Sequence, residues 1–436
     1  MNMTIDLVVW LLPVLMLVLL LLGMRVAYVL LAVGLVGVIF ALEPAQPVSM
    51  GREIWSATNS YTLTAIPLYV LMAELLLLSG ITQDAYRAVT RVFSFLPGGA
   101  AYANIAASSV FAAISGSSVA NAAALGTISA PSMVKMGYSK RLTFGTIAAG
   151  GVLGILMPPS AALIIYASMT GLSVGHLFLA GIIPALMLAG LFICTIAIWS
   201  VVAGSATPRG ESLKGWKEFA HAAMVLVPLL ALIAVILGGI YAGIFTPTEG
   251  GGIGAFFAGV ITAFKRQLTM KNLWEAARNT VSMTCMIMLI IGGAATLTFV
   301  MGMLAMPAIL TEAVLSSGLS TTTLLLLVAL IYVVLGLFIE SVSLIILTVP
   351  IIYPVLSSLG VDGIWLGVYI VMLIEIGLLT PPVGMNLYVL QRVPAGQTML
   401  DIVLGALPFV GAIFVGIVML LLVPELATWL PGWASQ

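Results

Sequence analysis

Charge is what this chain lacks first. Lys, Arg, Asp and Glu together make up 7% of its 436 residues, where a soluble domain carries about 25%. So few ionised groups cannot cover a water-facing surface, and a soluble globular fold is excluded. The two signs also cancel, 15 Lys and Arg against 15 Asp and Glu, which removes the basic surplus that nucleic-acid binding requires. Histidine and cysteine are scarce, at two each. His176 is expected in an outer loop and His221 beside the inner Lys214–Glu218 segment. Standing on opposite faces, they offer no serine–histidine dyad and no histidine-based metal site at depth, so enzyme readings fail. Cys194 and Cys285 both lie inside apolar runs and read as packing residues rather than a disulfide or metal pair.

What fills the chain instead is hydrocarbon: 62% of residues are hydrophobic and the mean hydropathy is +1.24. Apolar runs such as Leu7–Met24, Leu179–Val202 and Ile402–Val423 reach the roughly 20 residues that cross a bilayer. The chain reads as an all-α polytopic membrane protein. Its first run continues through "LLGMRVAYVLLAVG" into a second span with no polar stretch and small-residue cleavage site, so it is expected to be retained rather than removed as a signal peptide. "GWKEFAHAAM" (Gly215–Met224) reads as an amphipathic interfacial piece leading into a span.

Lys and Arg favour the cytoplasmic side. They cluster at Arg87/Arg91, Lys135/Lys140/Arg141, Arg209/Lys214/Lys217 and Lys265/Arg266/Lys271/Arg278. Placing all four clusters inside gives a consistent path: the Glu43–Glu53 loop lies outside (Arg52 a lone exception), and the third span, Leu63–Leu78, descends to Arg87. Between Arg91 and Lys135 the chain must then enter and leave on one face. The polar tetrad Ser115–Gly116–Ser117–Ser118 interrupts that apolar segment at its middle, so it reads as a re-entrant hairpin whose tip is covered by protein or a cavity. Next, "GVLGILMPPSAALIIY" (Gly151–Tyr166) is a span broken by Gly151, Gly154 and the Pro158–Pro159 pair.

The same grammar returns later. "GLFIESVSLIILTVPIIYP" (Gly336–Pro354) is apolar on both sides of Glu340–Ser343, and "EIGLLTPPVGMNLY" (Glu375–Tyr388) is again broken by a proline pair. Pro158 and Pro381, Gly154 and Gly377, Pro131 and Pro354, Ser118 and Ser341, and Gly137 and Gly360 are each 223 positions apart. Five matches at one offset, in one order, indicate an internal repeat. The intervening charge clusters imply an in-to-out crossing at Val281–Met303, so the second hairpin enters from outside, flanked by Glu312 and Asp362, and its broken span descends to Arg392. The copies are thus expected in inverted orientation, with the binding site near the midplane.

Carbonyls freed at broken helices can ligate a hard cation such as sodium without adding full charge. The tip at Ser115–Ser118 facing Gly154–Pro159 would form one cage, and Gly336–Ser341 facing Gly377–Val383, with the Thr380 hydroxyl, its partner. A substrate would lie between, met by Ser117, Asn121, Ser341, Ser343 or Asn386. The helix N-termini just beyond each tip favour an anionic group. A carboxylate inside a span is costly and is a functional candidate by default. Glu340 at a tip is the sharper case; Glu375 is weighed against a position at a helix end near water, and Glu74, inside the third span, is expected to pair with a helix end elsewhere.

Together, "AIPLYVLMAELLLLSGI", "SGSSVANAAALGTISAP", "GVLGILMPPS", "FTPTEGG" and "EIGLLTPPVGMNLYVL" resemble the large membrane subunit of tripartite ATP-independent periplasmic (TRAP) transporters over nearly the whole chain. Arg25 stands where the family commonly has Pro, and Ala73–Glu74 where many members have Ala-Gly; neither touches the tips. The resemblance implies a sodium-driven secondary importer of small organic acids in the bacterial inner membrane, served by a periplasmic binding protein and a separate small four-helix membrane subunit, with no cofactor beyond the coupling ions. It implies an elevator-type fold in which hairpins and broken helices move against a scaffold. On matching positions it implies one sodium site at Ser115, Gly154, Met157 and Pro159, to which the adjoining Ser118 is added, and another at Gly336, Gly377, Thr380 and Val383. Scaffold helices would occupy 1–60, a first inverted repeat 61–204 (hairpin 99–135, broken helix 141–169) and a connecting segment with further scaffold helices 205–278. A second repeat would occupy 279–425 (hairpin 320–357, broken helix 363–391), followed by a tail at 426–436. The competing reading is a proton-coupled organic-anion carrier of similar fold, motivated by Glu340 and Glu375.

Overall fold

A computed structural model describes residues 3–41, 47–93, 96, 98–203 and 216–434. Among these every regular element is helical. The chain opens with α1 (Met3–Leu21), α2 (Val26–Ala41), the short α3 (Pro47–Thr58), α4 (Ala65–Leu78) and α5 (Ile81–Phe93). Then come α6 (Gly99–Ser115), α7 (Ser118–Lys135), α8 (Lys140–Leu156) and α9 (Ala161–Thr170). Four long helices follow: α10 (Val174–Ala203), α11 (Trp216–Tyr241), α12 (Pro247–Phe264) and α13 (Met270–Met303). The remainder holds α14 (Met306–Ser316), α15 (Thr321–Gly336), α16 (Ser341–Ser358), α17 (Gly363–Leu379), α18 (Met385–Gln391), α19 (Met399–Leu422) and α20 (Glu425–Ala434).

Length separates two kinds of helix. The 30, 34 and 24 residues of α10, α13 and α19 exceed what a bilayer needs, whereas the 17 of α6 and 16 of α15 reach only about 25 Å at 1.5 Å per residue. Six spans among the described residues are long and apolar enough to cross a membrane, and the protein is a multi-pass membrane protein. Local chemistry sets the ends. Ser139, Ser160 and Asp362 each accept a backbone N–H from the first turn they precede. Gly116 and Gly171, at φ +56° and +73°, close α6 and α9 in a left-handed conformation that favours glycine.

Burial places the centre of the molecule. Every residue from Leu142 to Leu156 of α8 and from Trp365 to Leu379 of α17 is buried. In the Lys140–Thr170 span 89% of the apolar window is covered by protein, against 28% for Ala222–Tyr241; α8 is therefore core, and α11 turns an apolar face outward to lipid. Helices α6, α7 and α19 wrap α8, while α10, α15 and α19 pack on α17. The ends of α7 and α16, and of α8 and α17, fall 223 positions apart at both termini, and Pro158–Pro159 and Pro381–Pro382 are both cis. The two sets interlock: α9 packs on α16 and α18 on α7, and Tyr166 of α9 donates to the Gly363 carbonyl at the start of α17 (2.7 Å).

Several sequence expectations change. The outer loop becomes in part the helix α3, which meets the start of the next span at a 48° bend; Leu42–Gln46 lie outside the described residues. Helix α13 begins at Met270, so Lys271 and Arg278 ride its first turns rather than a loop, because Thr269 caps it with a hydrogen bond from Asn272 (3.2 Å). Residues 425–434 form α20 rather than a tail, packed on α10. Cys194 and Cys285 are free but exposed on α10 and α13, so they do not pack in the core. Glu74 accepts from the Asn279 side-chain amide at 2.9 Å, not from a helix end. Arg209, Lys214 and Gly215 lie outside the described residues, as do the side chains of Lys217 and His221.

Candidate functional site

The first helix break is built from missing donors. Pro158 and Pro159 carry no N–H, so the Gly154 and Ile155 carbonyls of α8 lose their i+4 partners. The Ser160 hydroxyl takes over Ile155 (2.5 Å), which leaves the Gly154 carbonyl without a helical donor. Met157 carries the chain out of the helix at ψ 123°. Against this break sits the α6–α7 tip: a Cβ on Gly154 would lie 2.6 Å from the Ser117 carbonyl oxygen, and one on Gly116 would lie 3.1 Å from that of Pro159. Ser115 donates to the Ser117 carbonyl (3.3 Å), and Ser117 caps α7 by accepting from Ala120 (3.4 Å). Thus Ser115, Ser117, Gly154 and Pro159 come together at one junction rich in backbone oxygen.

The second junction repeats the design. Pro381 removes the i+4 donor for the Gly377 carbonyl, which accepts instead from the Thr380 N–H (3.2 Å), and Thr380 ends α17 at ψ 133°. Gly336, the last residue of α15, meets Gly377 so closely that a Cβ on Gly377 would stand 2.6 Å from the Gly336 Cα. The Thr380 hydroxyl donates to Ile376 (2.6 Å), so its lone pairs remain available to accept from or ligate a cation. Val383 lies in the loop before Gly384.

Charge distinguishes the two tips. Glu340 caps α16, accepting from the Val342 and Ser343 amides (3.1 and 3.2 Å) and from the Ser341 and Ser343 hydroxyls (2.9 and 3.4 Å). The second tip therefore carries a carboxyl side chain as the cap of its helix N-terminus, while the first is capped by a serine. Asn121 is buried, its amide donating to the carbonyls of Ser108 (3.3 Å) and Gly150 (3.2 Å); it stitches α7 to α6 and α8. Glu375 is not near water at a helix end. It is fully buried within α17 and accepts from the Ser118 hydroxyl (3.3 Å), which itself accepts from Asn386 (2.9 Å). Ser118 is thus spent on Glu375 and Asn386, side chains of the other half of the molecule.

Sequence reasoning missed a further buried network in the first hairpin. Tyr86 donates to Ser129 (2.7 Å), Ser129 to Asn104 (2.6 Å), and Asn104 to Thr146 (2.9 Å), joining α5, α7, α6 and α8. A lone asparagine in an alanine-rich apolar run was its available signal. Among the described residues there is no group of three or more His, Cys, Asp or Glu side chains that could hold a metal ion. A cavity of about 430 Å³ lies between α3, α9, α13 and α16, lined by Glu53, Ser60, Ser168, Thr298 and Tyr353 among others, and by none of the tip residues.

The comparisons with known proteins agree with one another. The family described as "Tripartite ATP-independent periplasmic transporter, DctM component" matches residues 13–426. A C4-dicarboxylate TRAP transporter large permease protein of Vibrio cholerae is 36% identical over 95% of this chain and 97% of its own. A sialic acid TRAP transporter large permease of the same organism is 32% identical over 87% of this chain and 88% of its own. Among solved structures, the YdaH transporter of Alcanivorax borkumensis superposes with a TM-score of 0.62 over 94% of this chain and 97% of that one, at 14% identity, a likeness of fold. Paired broken helices on paired hairpins, and a match running from the first span to the last, lead to one conclusion: the chain belongs to the DctM-component family of tripartite ATP-independent periplasmic transporters, which are permeases and not enzymes.

Proposed function

We propose that this permease is a sodium-coupled secondary importer of small organic acids. The observation that carries the reading is the pair of junctions, each a helix that ends at a cis proline pair and whose glycine is pressed against the neighbouring hairpin. Main-chain and hydroxyl oxygens gathered in this way suit a hard monovalent cation. One cage would be formed by Ser115, Gly154, Met157 and Pro159, the other by Gly336, Gly377, Thr380 and Val383. The substrate carboxylate would sit between the tips at the neutral N-terminus of α7, with Ser117, Ser341, Ser343 and Glu340 as its polar surroundings. Carboxylates are the substrate class that the relatives' names support, since these include C4-dicarboxylates and sialic acid.

The two hairpins would be re-entrant and the two halves inverted in the membrane, a reading supported by the placement of Lys and Arg. Interlocking of α9 with α16 and of α7 with α18 would make the eight helices one rigid transport unit, sliding as an elevator against the remaining scaffold. Substrate would arrive from a periplasmic binding protein, a small four-helix subunit would complete the assembly in the inner membrane, and no cofactor beyond the ions would be needed.

Uptake of labelled dicarboxylate or sialic acid into proteoliposomes holding the complete transporter tests this directly. At fixed pH, uptake is expected only with an inward sodium gradient; undiminished uptake without sodium would favour proton coupling instead. Within the site, Thr380→Ala removes one ligand oxygen and leaves the helix intact. It is expected to raise the sodium concentration for half-maximal uptake about tenfold, the equivalent of one lost polar contact, with thermal unfolding unchanged.

A further inference from the structure

The relay Asn386–Ser118–Glu375 does something neither junction needs for itself. The Ser118 hydroxyl donates to Glu375 Oε2 (3.3 Å). The Asn386 amide then supplies the hydrogen that the Ser118 oxygen accepts. All three side chains are at most 1% exposed, and Glu375 Oε1 and Asn386 Oδ1 have no other partner. Among the described residues Ser118 is thus the hydrogen-bond donor that holds Glu375.

Position gives the relay its meaning. Ser118 opens α7 directly beyond the first tip, and a Cβ on Gly154 would stand 2.9 Å from its Cα, so it moves with the first junction. Glu375 stands two residues before Gly377 on α17, and Asn386 is the second residue of α18. One hydroxyl therefore grips both halves of the second broken helix, on either side of the break that lines the second cage. Any displacement of the first tip changes the spacing of α17 and α18, and the reverse. Buried side-chain hydrogen bonds of this kind tie together the segments they join.

We propose that Ser118 is a positioning residue that couples the two ion cages, so that an ion in either one raises the affinity of the other. The proposal rests on the sodium reading above. By linkage the effect is reciprocal, and couplings of this kind amount to about 5- to 150-fold in affinity.

The test is equilibrium binding of radioactive sodium to the purified full-length chain, read as ions bound per chain and as a Hill coefficient. The native chain is expected to bind two ions with a Hill coefficient approaching two. Ser118→Ala should still bind two, with a coefficient near one. A merely structural Ser118 would weaken both sites or lower thermal stability and leave the coefficient alone. Should Ser118→Ala not fold, Asn386→Leu severs the other arm and carries the same expectation. A native coefficient near one, or retained cooperativity in the variant, overturns the relay while leaving both cages standing. Absence of any sodium binding by the native chain overturns the cages themselves.

Discussion

Replacing Gly154 with valine is expected to weaken sodium-dependent uptake steeply while the protein still folds. The atoms a side chain would meet there are main chain: Ser117 O at 2.6 Å, Ser117 C at 2.7 Å and Ser118 Cα at 2.9 Å. Main chain at a hairpin tip cannot rotate aside as a flexible side chain can, so the tip must lift from the break. Overpacking of this kind costs about 1–3 kcal/mol, which corresponds to an affinity loss of about 5- to 150-fold if it falls on the ion site. The lift also opens the contact between the α8 break and the Ser117–Ser118 main chain. Gly377→Val carries the same expectation, because its neighbours are the Gly336 Cα, C and O, again main chain. Sodium titration of uptake measures the effect, and a monodisperse elution profile with native helical content separates it from misfolding. Full activity in both variants removes the cage account.

Gly405→Leu is expected to do the opposite: to destroy the protein rather than its ion dependence. Helix α19 crosses α8 where Gly145 and Gly405 face each other. A Cβ on Gly145 would collide with the Gly405 carbonyl, and one on Gly405 with the Arg141 carbonyl. In a bilayer, helices gain little from burying apolar surface, since lipid is equally apolar. Close backbone approach through small residues is what lets them pack. An isobutyl group at this crossing would push α19 off the buried α8, at a cost of about 3 kcal/mol or more. The expected result is a large fall in thermal unfolding temperature, or loss of the monodisperse peak, in detergent. Gly411→Leu on the same helix, where a Cβ meets nothing within 4 Å, is the matched control and should be nearly silent.

These two expectations mark where sequence reasoning stops. Gly154 was legible, because it precedes a proline pair and has a counterpart at Gly377 in the same register. Gly405 was not: the chain has 44 glycines, and nothing local distinguishes one at a helix crossing from one in open space. Glu340 was legible as a tip residue. Its role as a cap holding two amides and two hydroxyls depended on where α16 begins. Glu375 was misjudged for a related reason. Five residues from the break it resembles a helix-end carboxylate, and only the packing of α7 and α18 on that face shows that it is sealed from solvent and held by Ser118. Asn104 and its network were missed because single polar residues in apolar runs become informative only when their partners, tens of residues away, are known.

The amino-acid order by itself determined the environment, the helical class and the two breaks. These follow from terms acting over a few residues: the transfer of apolar side chains to hydrocarbon, the missing N–H of proline and the freedom of glycine. It also determined the 223-residue repeat, which is a property of the string. Only the tertiary structure decided which carbonyl meets which tip, that Ser118 reaches across to Glu375 and Asn386, and that α8 and α17 form the buried centre. Those outcomes depend on close packing between segments tens to hundreds of residues apart, where a single methyl group decides the fit and no local rule reports it.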